Sequence, residues 1–118
     1  MKSKTISLPY LDALRPTLES TALKLMEEAG ELAQAIGKYR GMSGELAHLE
    51  EKQVVQLIVE ELVDVAQTAV TMMYVLEQEY DVDLDQTLRR HLEKMRSKGY
   101  MRSIQDQPER LIEDMGDE

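Results

Sequence analysis

The stretch 49–80, LEEKQVVQLIVEELVDVAQTAVTMMYVLEQEY, decides the fold class because it contains neither proline nor glycine. Its apolar residues recur every three or four positions, which is the period of an α-helix. They cover more than half of the helix circumference, so one neighbouring helix cannot bury all of them. The rest of the chain has no alternating strand pattern and no internal repeat. We therefore predict an all-α fold.

A second long helical pattern precedes this stretch and ends near Arg40. Pro16 is predicted at its first position, where a helix does not need the missing N–H group. The segment 7–14, SLPYLDAL, is predicted to form a short helix or a turn. We expect the two long helices to lie antiparallel in a helical bundle that also contains shorter helices.

The segment 81–86, DVDLDQ, interrupts the helical pattern. Asp83 and Gln86 have the spacing of a capping box, which predicts a third helix that ends near Gly99. Residues 1–102 are expected to form one domain. Residues 103–118 are polar and acidic, and we expect them to form a mobile tail.

The composition limits the classes of partner. The chain has 118 residues, of which 23 are acidic and 14 basic, and its formal net charge is −9. Such a charge opposes binding to nucleic acid polymers and to anionic membranes. The absence of cysteine excludes disulfides, a thiolate nucleophile and cysteine-based zinc sites. No stretch approaches the roughly 20 apolar residues of a membrane span, and the N-terminal residues lack a signal-peptide core, so we expect a cytoplasmic location.

Both long helices carry two acids three positions apart at the border of an apolar stripe. Glu28 and Glu31 lie in KLMEEAGELAQAIGKYRG, and Glu61 and Asp64 lie in VEELVDVAQTAV. Acids three apart share one helix face. An antiparallel pair of helices can gather all four carboxylates into one cluster. Such a cluster needs protons or a hard divalent cation, and its all-oxygen ligand set favours Mg²⁺ or Mn²⁺.

A solvated helix face is the alternative interpretation of such acids. A single pair usually has that meaning, and Glu50 and Glu51 are interpreted in this way. Two pairs with the same spacing on separate helices, each beside apolar residues, favour a shared site instead.

The segments EEAGE at 27–31 and EELVD at 60–64 resemble the EExxE and ExxD signatures of MazG-like, all-α nucleoside triphosphate pyrophosphohydrolases. The resemblance covers about residues 20–102. It implies hydrolysis of a nucleoside triphosphate between the α- and β-phosphates, giving a monophosphate and pyrophosphate. It also implies a set of Mg²⁺ ligands, namely Glu28, Glu31, Glu61 and Asp64.

Basic residues complete the resemblance. Lys24 matches a lysine that precedes the second acid of EExxE by four positions. Lys94, Lys98, Gly99 and Tyr100 are similar to a K-xxx-(R/K)-G-Y arrangement in the family. Lys24, Lys94 and Lys98 are therefore expected to bind the triphosphate, with Arg102 a weaker candidate.

The attacking water requires a carboxylate that orients it or accepts its proton. Glu27 lies beside the expected metal ligands but points in a different direction on the helical wheel. We expect Glu27 to have this catalytic role, with Glu28 as the alternative.

Two features depart from the family pattern. The connection 40–53 is long, and it is either an insertion or a partly helical lid. Tryptophan and phenylalanine are absent, so tyrosines are the only aromatic residues that could stack on a base. The sequence therefore does not indicate which base is preferred.

Other functions have weaker support. A di-iron bundle needs two Glu-x-x-His pairs, and the chain has one, Glu45 with His48, in an expected loop. His48 and His91 are interpreted as surface residues. The main rival is a non-catalytic helical interaction protein with a degenerate metal site. Both interpretations predict a homodimer or a dimer of dimers, because a second copy can cover the broad apolar arc of 49–80.

Overall fold

The computed structural model describes residues 2–40 and 51–102. These residues form three α-helices, α1 (Leu18–Tyr39), α2 (Glu51–Tyr80) and α3 (Leu84–Ser97), and no strand occurs in the two described ranges. The prediction of an all-α fold is confirmed. The predicted tail and most of the long connection between the acid pairs lie outside the described residues.

Helix α1 begins at a capping box. The Thr17 backbone N–H donates to Ser20 Oγ at 2.8 Å, and the Ser20 N–H donates to Thr17 Oγ1 at 3.0 Å. Pro16 therefore precedes the cap, and its prediction as the first helical residue was wrong by two positions. Threonine takes the cap because its hydroxyl can accept a bond from an otherwise unpaired N–H group, which proline cannot do.

Helices α1 and α2 pair as an antiparallel hairpin. At one end the Tyr39 hydroxyl donates to Glu51 Oε1 at 2.7 Å. Farther along the hairpin, Glu31 of α1 lies close to Glu61 of α2. Residue numbers therefore fall along α1 as they rise along α2, and acids from the middle of both helices meet.

The segment before α1 lies against α2. The Leu14 N–H donates to the Leu11 carbonyl at 3.1 Å, which confirms a turn in the segment predicted as a short helix or a turn. Gln67 Nε2 donates to the Pro9 carbonyl at 3.0 Å. The ring centroids of Tyr10 and Tyr74 lie 4.7 Å apart. These contacts attach the segment to the C-terminal half of α2.

The apolar core of the chain is small. Val54 and Val75 are the buried hydrophobic residues among those described, whereas Leu23 and Met26 of α1 are each 74% exposed. Met26 belongs to the apolar period of α1 but faces solvent. Apolar residues occur on two faces of α1, and the face turned toward α2 is the one that carries Thr21 and Glu28.

The described chain divides into two compact units, residues 8–82 and residues 2–7 with 83–102. In the second unit, the Asp83 side chain accepts from the Gln86 N–H at 3.0 Å, so the predicted cap of α3 is confirmed. Helix α3 has no buried residue. No helix in the described ranges combines the length and the apolar run that crossing a bilayer requires.

Candidate active site

Three carboxylates from α1 and α2 converge in the hairpin. Glu28, Glu31 and Glu61 each place an oxygen within 4.8 Å of the oxygens of the other two. Glu28 and Glu31 reach one place because three helical positions bring side chains to the same face. Glu28 is only 6% exposed, Glu61 is half-buried and Glu31 is exposed. The cluster therefore extends from the helix interface to the surface.

Two oxygens of this cluster are buried without a hydrogen-bond partner in the described structure, Glu28 Oε2 and Glu61 Oε2. The buried hydroxyls of the same hairpin are satisfied. Thr21 Oγ1 donates to the Thr17 carbonyl at 2.9 Å, and Thr68 Oγ1 donates to the Asp64 carbonyl at 2.9 Å. A buried carboxylate oxygen without a partner is expensive, so these two oxygens indicate a place for a ligand.

Lys24 is the cation beside this cluster. Its Nζ lies 3.0 Å from Glu28 Oε1 and 4.0 Å from Glu27 Oε1. The hydrogen bond with Glu28 and the negative charges of Glu27 and Glu28 raise the pKa of Lys24. Lys24 thus satisfies one oxygen of Glu28 and leaves the other without a partner.

The carboxylates repel one another. The negative charge of Glu28, partial desolvation and the charge of Glu61 raise the pKa of Glu31. The ammonium group of Lys24 alone cannot balance three carboxylates at this separation. An all-oxygen site with excess negative charge suits a hard divalent cation such as Mg²⁺ or Mn²⁺, so the residues present fit the metal that the sequence analysis anticipated.

The two other acids expected at the site lie at its margin. Asp64 is exposed and is not one of the three clustered residues, although it lies one turn after Glu61 on α2. Glu27 has an exposed side chain, and its contact with Lys24 places it beside the cluster. Both side chains are exposed, and neither belongs to the three-residue cluster.

The expected basic motif ends α3 in a Schellman turn. The Gly99 N–H donates to the Arg96 carbonyl and the Tyr100 N–H donates to the Met95 carbonyl, both at 3.0 Å. Gly99 has a φ of +77°, which explains why the motif needs glycine at this position. Lys98 Nζ lies 5.9 Å from the centroid of the Tyr100 ring. Lys94 and Lys98 are exposed at this helix end and belong to the second unit.

A cleft of about 310 Å³ opens beside the acid cluster and shares two residues with it. The sequence analysis had not singled out its other four residues. A signal was available, because Gln34 and Lys38 follow Glu31 by three and seven positions and therefore continue its helix face. The cleft is lined by Glu31, Gln34, Ala35, Lys38, Leu57 and Glu61.

Neither Tyr10 nor Tyr39 lines the described cleft. His91 is exposed on α3, and His48 lies outside the described residues. Tyr10 packs on Tyr74, and Tyr39 bonds to Glu51. None of the lining residues of the described cleft is aromatic.

The comparison with family models gives one match, the MazG nucleotide pyrophosphohydrolase domain, over residues 16–101. The chain belongs to this family. The match covers most of the chain, and the resemblance drawn from the EEAGE and EELVD motifs is confirmed. The MazG domain includes the acid cluster, the cleft and the basic end of α3. Searches of curated proteins and of solved structures found no match.

Proposed function

We propose that this MazG domain hydrolyses a nucleoside triphosphate between its α- and β-phosphates, in a Mg²⁺-dependent reaction that removes nucleotides from the cytoplasmic pool. The observation that carries the proposal is the convergence of Glu28, Glu31 and Glu61, with Glu28 Oε2 and Glu61 Oε2 buried and unpaired. A structural acid cluster would place its oxygens in water or pair them. These oxygens do neither, so they favour a bound cation.

Glu28, Glu31 and Glu61 would hold the metal, with Asp64 as a fourth ligand. Asp64 is suited to this role because it lies one turn from Glu61 on the same helix. When bound, Mg²⁺ would neutralise charge on the phosphate oxygens and favour the attack of water, and Mn²⁺ could replace it. Glu28 is buried at the inner side of the proposed site, whereas Glu31 and Asp64 are exposed to solvent.

Glu27 would orient the attacking water and accept its proton. Its carboxylate is exposed and lies 4.0 Å from Lys24, so water can reach it beside the cluster. The water oxygen forms a bond to the α-phosphorus, the bond to the bridging oxygen breaks, and pyrophosphate leaves. Glu28 is the alternative base, but its Oε1 is already paired with Lys24 at 3.0 Å.

Lys24 would bind the triphosphate beside the cluster, and the family resemblance also implies phosphate binding by Lys94 and Lys98. Lys24 is already held at the cluster by Glu28, so its ammonium group is positioned for phosphate oxygens. Lys94 and Lys98 are one turn apart on α3, which allows one phosphate chain to contact both. The Schellman turn at Gly99 fixes the end of the helix from which they project.

A homodimer would cover an apolar seam on α2, which consists of Val55, Val59, Leu62, Ala66, Ala69 and Met73. The seam residues follow a heptad spacing of four and three positions, which is the pattern of a left-handed coiled coil. Val55, Val59, Leu62 and Met73 are all exposed, and Leu62 is 53% exposed. The seam runs for about 27 Å at 1.5 Å per residue.

Pyrophosphate release from a panel of common and modified NTPs and dNTPs, with and without Mg²⁺, tests the proposal. We expect release from at least one nucleotide, and only with the metal. Calorimetric titration with Mg²⁺ alone provides a readout that does not depend on finding the substrate. A protein that neither binds Mg²⁺ nor releases pyrophosphate would instead be the non-catalytic interaction protein.

A further inference from the structure

The cleft beside the acid cluster is placed to receive the nucleoside part of the substrate. Glu31 and Glu61 belong both to the cluster and to the lining of the cleft, so the two spaces are continuous. A phosphate group held at the cluster would therefore have the cleft as its immediate neighbour. The apolar side chains of Ala35 and Leu57 line this space and can contact the face of a base.

The order of residues along α1 indicates how the substrate would be oriented. Lys24 precedes the acids, whereas Gln34 and Lys38 follow them. Lys38 lies about 10 Å beyond Glu31 along the helix at 1.5 Å per residue. The terminal phosphates would thus point toward Lys24, and the base would lie against Gln34 and Lys38.

We propose that Gln34 and Lys38 read the edge of the base and that Lys38 selects bases that carry a carbonyl oxygen next to a ring N–H group. Uracil, thymine, guanine and hypoxanthine have this edge. This inference rests on the proposed function, because it takes the acid cluster as the binding place of the phosphates.

The selectivity follows from the hydrogen-bonding groups of the cleft. An ammonium group offers three donors and no acceptor, so Lys38 can keep a protein partner and still donate to a carbonyl oxygen. The amide of Gln34 offers both a donor and an acceptor, and its oxygen can accept from the ring N–H group. Cytosine and adenine present an exocyclic amino group instead, and its N–H donors have no acceptor on Lys38. Such an unmatched polar group lowers affinity. The Gln34 amide can turn over to bond either kind of base, so the selection comes from Lys38.

The test compares matched nucleotide pairs, dUTP with dCTP and dGTP with dATP, by kcat/KM for pyrophosphate release. We expect the carbonyl-bearing member of a pair to be preferred by about tenfold or more, which is the effect of one or two hydrogen bonds. Binding of the α,β-imido analogues of the same nucleotides in the presence of Mg²⁺, measured by calorimetry, should show the same order. The two pairs also separate a pyrimidine pocket from a purine pocket.

Variants assign the preference to the cleft. Lys38→Met should reduce the preference for the carbonyl-bearing base to less than about threefold, whereas Gln34→Leu should weaken the binding of both members of a pair. The matched controls Lys52→Met and Gln56→Leu alter exposed residues of α2 outside the cleft lining, and they should keep the preference of the unaltered protein. Circular dichroism of each variant checks that the helices are intact.

The outcomes separate this inference from the proposed function. Hydrolysis with equal or reversed preference overturns the base selection and leaves the proposed hydrolase intact. Selective binding of the analogues without pyrophosphate release supports the base selection and overturns the hydrolase. A preference that survives in Lys38→Met also overturns the selective role of Lys38.

Discussion

Glu61 contributes to the cluster an oxygen that is buried and has no hydrogen-bond partner. It lies on α2, whereas the other two acids of the cluster lie on α1. We predict that Glu61→Gln lowers Mg²⁺-dependent pyrophosphate release by about 100-fold or more, since even residues that only support metal ligands change activity 10–100-fold. The amide removes one negative charge and keeps the shape of the side chain. Steady-state kinetics over a range of Mg²⁺ concentrations measure the effect.

Glu60→Gln is the matched control for this variant, because Glu60 is the exposed neighbour of Glu61 and lies outside the three-residue cluster. Both variants should retain the helix content of the unaltered protein. Full activity of Glu61→Gln with normal metal dependence would remove Glu61 from the site.

Glu31 allows a prediction about stability and pH. Repulsion by Glu28, desolvation and repulsion by Glu61 raise its pKa in the folded state. Ionised Glu31 therefore destabilises the fold above its folded-state pKa, and this penalty disappears as the pH falls through that pKa toward the value of a free glutamate. We predict that Glu31→Gln raises the Tm at pH 7 in EDTA, and that the gain disappears as the pH falls toward the pKa of a free glutamate. Thermal unfolding from pH 4 to pH 8 measures it.

Mg²⁺ should stabilise the unaltered protein more than Glu31→Gln. A ligand that binds only the folded state stabilises it more when its affinity is higher, and the loss of one carboxylate lowers that affinity. The unaltered protein should therefore gain more in Tm from saturating Mg²⁺ than Glu31→Gln does. A variant that is less stable than the unaltered protein in EDTA at pH 7 would contradict the repulsion.

At the scale of the elements, the Tyr39 hydroxyl joins the last turn of α1 to the first turn of α2 at 2.7 Å from Glu51. The bond to Glu51 and the negative charge of Glu51 raise the pKa of Tyr39. The stabilisation is thus fully present below the pKa of a free tyrosine and is lost as the pH rises through the folded-state pKa. We predict that Tyr39→Phe lowers the Tm at pH 7, and that the difference disappears in strongly alkaline solution. Tyr80→Phe, at an exposed position, is the control.

The elements differ in how well the sequence predicts them. The cap of α3 at Asp83 follows from local spacing, which is visible in a sequence. The meeting of Glu28, Glu31 and Glu61 needs in addition the antiparallel pairing of α1 and α2. The buried face of α1 was predicted less well. Leu23 and Met26 give this helix an apolar face that the hairpin leaves exposed, and periodicity does not reveal which of two apolar faces meets a given neighbour.

The cleft could not be predicted from the sequence for a related reason. Its walls come from α1 and α2 together, so Leu57 becomes a neighbour of Gln34 only after the register of the hairpin is known. The spacing of Gln34 and Lys38 from Glu31 indicated a shared face but not a cavity. The cavity was therefore not predictable from the sequence, because it depends on the register of two helices.

For the whole molecule, the seam of α2 predicts an oligomer, because the described residues bury only two valines and leave large apolar residues in water. Leu62, at the middle of the seam, is 53% exposed. We predict that Leu62→Asp weakens self-association by about 100-fold or more, since the interface would desolvate an unpaired carboxylate. Met73→Asp should act in the same direction and lies further along α2 from the acid cluster. Analytical ultracentrifugation over a range of concentrations measures both.

Leu23→Asp separates this seam from the other exposed apolar face of the hairpin. Leu23 is 74% exposed on α1 and does not belong to the seam. A dimer built on the seam should therefore persist in Leu23→Asp, and a dimer of dimers should lose only its second association step in that variant. If Leu62→Asp and Met73→Asp remain associated while Leu23→Asp becomes monomeric, the interface lies on α1, and the heptad spacing of α2 has another cause.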